Sequence, residues 1–117
     1  MSVNKIHIIG NLGKDPEMSY RGKDGLAVTK FSVAVNRPKN NGTDWFNCVS
    51  FRKTADFVNT YGSKGRKVYV EGEMRQNRWT DDDGQNHTSW ELVANRVEFL
   101  DRRDTGTGDD LNEPEDI

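Results

Sequence analysis

Between Lys67 and Asn77 the chain alternates as a strand does, Val68 and Val70 against Tyr69 and Glu71, yet Gly72 stands inside the run. A glycine there has no side chain to pack and marks a bulge or a sharp bend, as a small, strongly curved barrel requires. The same stretch, KVYVEGEMRQNRWTDDDGQ from Lys67 to Gln85, ends on Asp83-Gly84, a hairpin signal. Between bend and turn lie Arg75, Arg78 and Trp79, cationic donors next to a flat aromatic face. That combination suits a groove that follows a phosphate backbone and stacks a base; a plain hairpin with a core tryptophan reads the same on this stretch alone.

The other segments also read as strands. Ile6 and Ile8 alternate with Lys5 and His7 in a first strand, Val3 to Leu12, which stops at Gly10-Asn11 and Gly13. Asp15-Pro16 and the run Arg21-Gly22-Lys23-Asp24-Gly25 are loop signals. Leu26 to Asn36 is a second strand, with Thr29, Phe31, Val33 and Val35 toward the core. The polar loop from Arg37 to Gly42 then sets Arg37 and Lys39 beside a third strand, Asp44 to Phe51. On that strand Trp45, Asn47, Val49 and Phe51 share one face, and Phe46, Cys48 and Ser50 the other. Both faces carry apolar bulk, so if one is core the other offers aromatics to a partner, a ligand or another subunit.

Thr54 to Tyr61 is the one helical segment: Thr54 can cap it, Phe57, Val58 and Tyr61 form its apolar stripe, and Gly62 can end it. The strand that holds Gly72, Arg66 to Asn77, is the fourth. A fifth returns from His87 or Thr88 to Leu100, its register slips near Asn95, and which of its faces is inside stays open. Five strands with a short helix between the third and fourth give an all-β fold class. The order is that of the OB-fold, a five-stranded Greek-key barrel that binds oligonucleotides or oligosaccharides.

Charge divides the chain. Residues 1–100 carry a net charge of +3 and residues 101–117 a net charge of −5. A mildly basic body suits a polyanion, while DRRDTGTGDDLNEPEDI reads as a short, acidic, disordered tail, outside the domain expected over residues 1–100. The single Cys48 rules out an internal disulfide and a cysteine-based metal site, which fits a reducing compartment. The N-terminal segment reads neither as a signal peptide nor as a membrane span, so a soluble, cytoplasmic protein is expected, with no membrane partner. Asp81, Asp82 and Asp83 are successive acids on a hairpin tip that point in different directions; they read as a solvated turn, not a metal site, and no cofactor is expected. An enzyme, such as a metal-dependent nuclease, needs convergent carboxylates in a pocket, and the sequence offers none.

In four blocks, NKIHIIGNLGKDPE (Asn4 to Glu17), FSVAVN (Phe31 to Asn36), DWFNCVSFRKTAD (Asp44 to Asp56) and GSKGRKVYVEGEMRQNRWTDDDGQ (Gly62 to Gln85), the chain resembles the bacterial single-stranded DNA-binding protein family, and the resemblance runs from residue 3 to residue 100. It implies an OB-fold, usually a homotetramer, that wraps single-stranded DNA without sequence preference in replication, recombination or repair, and that is not an enzyme. An OB-fold primosome or RNA-binding protein is the nearest other reading. Carried over by position, Trp45, Phe51 and Trp79 match base-stacking aromatics, and Lys53, Lys64 and Arg78 match phosphate-binding cations. The chain also departs from the family. It has Arg37-Pro38-Lys39 where members often carry another tryptophan, Phe46 where a histidine is frequent, and Trp90 where the family pattern has no aromatic. Its tail ends EPEDI without the Pro-Phe that docks replication and repair proteins, which suggests a phage, plasmid or accessory version.

Overall fold

The computed structural model describes residues 1–39 and 41–101. The expected acidic tail beyond Asp101 lies outside the described residues. Seven elements follow in order: β1 (Ile6–Leu12), β2 (Glu17–Arg21), β3 (Leu26–Asn36), β4 (Thr43–Phe51), α1 (Arg52–Tyr61), β5 (Lys67–Thr80) and β6 (Asn86–Phe99). Neighbouring strands run β1-β5-β6-β4-β3-β2, and a pairing of β1 with β3 through Asn11–Ala34 and Leu12–Val33 closes the sheet on itself. The closed ring is the expected five-stranded barrel, with α1 between its third and fourth strands. The β4–β6 pair is parallel and the other pairs are antiparallel.

Strand β2 is an addition to the expected layout. Among the described residues it pairs only with β3, and all but Met18 of its residues are exposed, so it has no apolar alternation by which a strand is read from sequence. The helix also differs from expectation. It begins at Arg52, and its N-cap is Phe51 with no side-chain cap hydrogen bond, so Thr54 is not the cap. Phe51, still extended at the end of β4, occupies the cap position and has no side-chain oxygen to accept from the first turn, and Arg52 turns the chain from strand into helix at φ +57°.

The bend expected at Gly72 is a bulge. Glu71 pairs with Arg96 and Gly72 with Ala94, which leaves Asn95 as the extra residue on β6. A Cβ on Gly72 would stand 1.9 Å from the Val93 carbonyl oxygen, so only glycine lets the two backbones approach this closely. The bulge explains the slipped pattern of β6. Val97 faces inward on one side of it, and Ala94 and Leu92 do so on the other, joining Leu12, Phe31, Val33, Val68 and Val70 in the main core. Phe46 packs against that core from its edge. Helix α1 plugs one end of the barrel with buried Ala55 and Val58, and the buried Thr29 hydroxyl donates to the Ala55 carbonyl at 2.9 Å. Asp101, grouped with the tail on sequence, is tied to the barrel. It accepts from Arg66 Nε at 3.0 Å and from the Lys67 amide at 3.1 Å.

Cys48 is buried, and that burial, with the charge of Glu91 as a smaller cause, pushes its thiol up to about 12. The nucleophile is the thiolate, so a thiol-reactive probe at pH 8 is expected to leave the native protein unlabelled and to label it at once in denaturant. Rapid labelling of the folded protein would contradict the burial of this strand.

Candidate nucleic-acid interface

Alternation along β4 sends Phe46 and Cys48 to the main core and turns Trp45, Asn47, Val49 and Phe51 to the opposite face. Cross-strand pairs carry that face onto β3, where Val28 opposes Phe51 and Ala34 opposes Trp45. Val28, Val49 and Val93 form a second, smaller apolar cluster there, with Leu26 and Phe51 packed against it. Phe51 is therefore a half-buried ring at the margin of an apolar floor. Trp45, farther along the strand, is 60% exposed. Its ring lies over Gly13, where a Cβ would stand 2.4 Å from Trp45 Cζ3. Gly13 is held in turn by its backbone N–H, which donates to the Ser32 carbonyl at 3.0 Å. Support from below and solvent above leave one face of the indole able to stack a flat ring.

The β5–β6 hairpin extends this surface as an arm. Trp79 pairs with His87 across it, and the two rings stack with centroids 5.3 Å apart and planes 22° from parallel. His87 Nε2 lies 2.6 Å from Asp81 Oδ2, while Asp81 Oδ1 accepts from the amides of Asp83 and Gln85, each at 2.9 Å. The hydrogen bond to His87, helped by those amides, holds the Asp81 carboxyl below its usual range. Asp81 is thus the organiser of the turn, and His87 backs Trp79. The sequence assigns His87 no role; the register Trp79–His87 reveals one, because a turn centred on Asp83 with paired flanks sets the two opposite each other. Among the described residues, no group of three or more His, Cys, Asp or Glu side chains is placed to hold a metal ion.

The expected cations divide into several groups. Arg75 shares the Trp79 face but is paired with Glu73 at 2.7 Å. Arg78 points to the opposite face of the hairpin, as alternation requires, and donates to the neutral Gln76 side chain at 2.8 Å, so among the described residues no carboxylate compensates its charge. Arg37 makes a two-point ion pair with Asp44, 2.7 and 3.1 Å, that ties the base of the Arg37–Gly42 loop. The hydrogen bond and charge of Asp44 raise the guanidinium pKa, and Arg37 lowers that of Asp44. This arginine is a loop clasp before it is a phosphate ligand. Lys39 is exposed and forms no ion pair among the described residues. Lys64 is exposed in the loop after α1, its amide fixed at 2.8 Å by Asp15 close to Gly13. Lys53 stands apart in a hollow between α1 and β6, with Phe57, Asn95 and Arg96. The structure therefore joins Trp45 and Phe51 on one face, sets Trp79 with Arg75 on the arm, and leaves Lys53 and Arg78 facing elsewhere. Trp90, assigned no definite part on sequence, is 56% exposed rather than packed.

Residues 3–100 match the single-strand binding protein family. A single-stranded DNA-binding protein of Thermotoga maritima is 44% identical over 97% of this chain and 85% of its own length. One from Neisseria meningitidis is 38% identical over 92% of this chain and 66% of its own. Among solved structures, the Plasmodium falciparum SSB in complex with ssDNA matches with a TM-score of 0.76 at 30% identity, covering 86% of this chain and 97% of that one.

Proposed function

The chain belongs to the single-strand binding protein family, and from this premise we propose that it coats single-stranded DNA without regard to sequence. Trp45 is the observation that carries the reading: a large aromatic on a glycine floor, open to solvent, on the strand face that also presents Phe51. Stacking on these rings and on Trp79 tolerates every base, because every base has a π-face. Lys39, Lys53, Lys64 and Arg78 would meet phosphates, with Arg37 and Arg75 joining only by exchanging their carboxylate partners. Because the strand must touch cations on several sides of the barrel, it wraps the molecule rather than crossing one groove.

The assembly proposed is a homotetramer, acting in replication, recombination or repair in the cytoplasm, with the acidic tail as a contact for other proteins of those processes. Self-association has support in the outer face of β1 and β5. There Ile9 is exposed, and His7, Tyr69 and Glu71 are linked beside it by hydrogen bonds of 2.9 and 2.7 Å.

Titration of tryptophan emission with dT, dC and rU oligomers tests the function. Quenching by both DNA oligomers at similar affinity is expected, with weaker binding of rU and a salt slope of about −0.7 per phosphate neutralised. Tighter binding of rU, or unchanged emission at saturating dT, would overturn it.

A further inference from the structure

Trp90 lies opposite Gln76 in β6, on the face of the hairpin that Trp79 does not use. Among the described residues its indole makes no hydrogen bond or ring contact, although more than half of it is exposed. It borders a cleft of about 280 Å³. The cleft exists because the parallel pairing of β4 with β6 spans only Cys48–Leu92 and Val49–Val93, after which the hairpin parts from β4. Asn47 also lines the cleft, two residues from Trp45 on the same strand face and so about 7 Å along the strand. Lys14, another lining residue, follows the glycine on which the Trp45 ring rests. The cleft thus continues the Trp45 platform.

Its chemistry is that of a base rather than a run of phosphates. Lys14 is paired with Glu17 at 3.6 Å, and Glu91 accepts from Asn77 at 3.2 Å, which leaves Lys30 as the lining cation with no carboxylate partner among the described residues. The walls supply the Asn47 amide and the Ser32 hydroxyl for a base edge. The volume falls just below the roughly 300–1,000 Å³ of ordinary small-ligand pockets, a size for one ring system and not for an extended ligand.

We infer that Trp90 is a stacking platform for a further nucleobase of the bound strand, seated in the cleft beyond Trp45, with Lys30 meeting the adjoining phosphate. The inference rests on the proposed function and adds a contact that the family resemblance does not supply.

The test uses the full chain in two forms that each keep one of these indoles: Trp45→Phe/Trp79→Phe, which retains Trp90, and Trp79→Phe/Trp90→Phe, which retains Trp45. Saturating dT oligomer is expected to quench both. In the otherwise native chain, Trp90→Ala is expected to weaken dT binding roughly fivefold or more, with melting unchanged, and Trp90→Phe to restore most of the loss. Quenching of the Trp45 form alone overturns the inference and leaves the function standing. Failure of the unsubstituted chain to bind the oligomer overturns the function itself. Trp90 emission that changes with protein concentration but not with DNA would place the ring between copies of the chain and also overturn the inference.

Discussion

Replacing Trp45 and Trp79 together by alanine is expected to weaken binding to a dT oligomer by at least about 30-fold while the melting temperature stays within a few degrees of the parent. Each base stacked on an aromatic contributes roughly 1–3 kcal/mol, and about 1.4 kcal/mol is tenfold in affinity, so each single variant should lose at least about fivefold. The two rings share no partner. Trp45 rests on Gly13 at the barrel, and Trp79 on His87 at the arm, so their losses should add. Neither belongs to either apolar cluster, which is why folding should survive their removal. Polarisation of a labelled oligomer at fixed salt, beside a thermal melt of each variant, makes the measurement. A double variant that binds like the parent would show that the strand is held elsewhere.

Much of this surface was readable before any coordinates, for a simple reason. Strand alternation has a period of two, so once DWFNCVSF is taken as a strand, Trp45 and Phe51 must share a face and Cys48 must oppose them. The bulge was legible in the same way, from a glycine in one strand and a slipped pattern at Asn95 in its partner. What stayed hidden depends on register or on distance through space. The Arg37–Asp44 clasp requires the loop to fold back so that Asn36 meets Thr43, and nothing in the linear spacing fixes that return. His87 acquires its place under Trp79 only when the turn length sets which residues face each other. Strand β2 is exposed on both sides, and a strand that buries almost nothing has no hydrophobic signature. Alternation also separates Arg78 from Trp79, because adjacent strand residues point apart, so of the two arginines only Arg75 shares the Trp79 face.

The charge pattern bears on how tightly such a surface can hold DNA. Several of its cations already face carboxylates, as Arg37 does Asp44, Arg75 does Glu73 and Arg96 does Glu98. These pairs are exposed and individually weak, so a phosphate can displace a carboxylate at small cost. Each displacement returns a negative side chain to solvent beside the strand, however, and lowers the net gain. Stacking must therefore supply a larger share of the affinity here than in a protein whose cations are unpaired. On that account, removing aromatics should cost more than removing any one arginine.

Gly72→Ala is expected to be the most damaging single-methyl change in the barrel, lowering stability by about 3 kcal/mol or more. The new Cβ would lie 1.9 Å from the Val93 carbonyl oxygen and 2.8 Å from its carbon, and both atoms belong to backbone, so no rotamer change relieves the clash. The bulge must open or β5 must move off β6. Opening it has consequences at both ends of β6, because the extra residue Asn95 is what lets Val97 and Ala94 face the same core. If the bulge were lost and the ladder ran on in regular alternation, one of the two would turn outward and a polar neighbour would turn in. At this chain length a loss of about 3 kcal/mol corresponds to a fall in melting temperature of roughly 12–24 °C. Gln76→Ala, four residues along the same strand and exposed, provides the comparison, with an expected change within about 0.5 kcal/mol. Melting of Gly72→Ala within a few degrees of Gln76→Ala would mean that the close approach of β5 to β6 is not what shapes the barrel. A large fall accompanied by retained dT affinity at low temperature would show the bulge serving the fold alone. A parallel loss of affinity would show that it also sets the angle at which the Trp79 arm leaves the barrel.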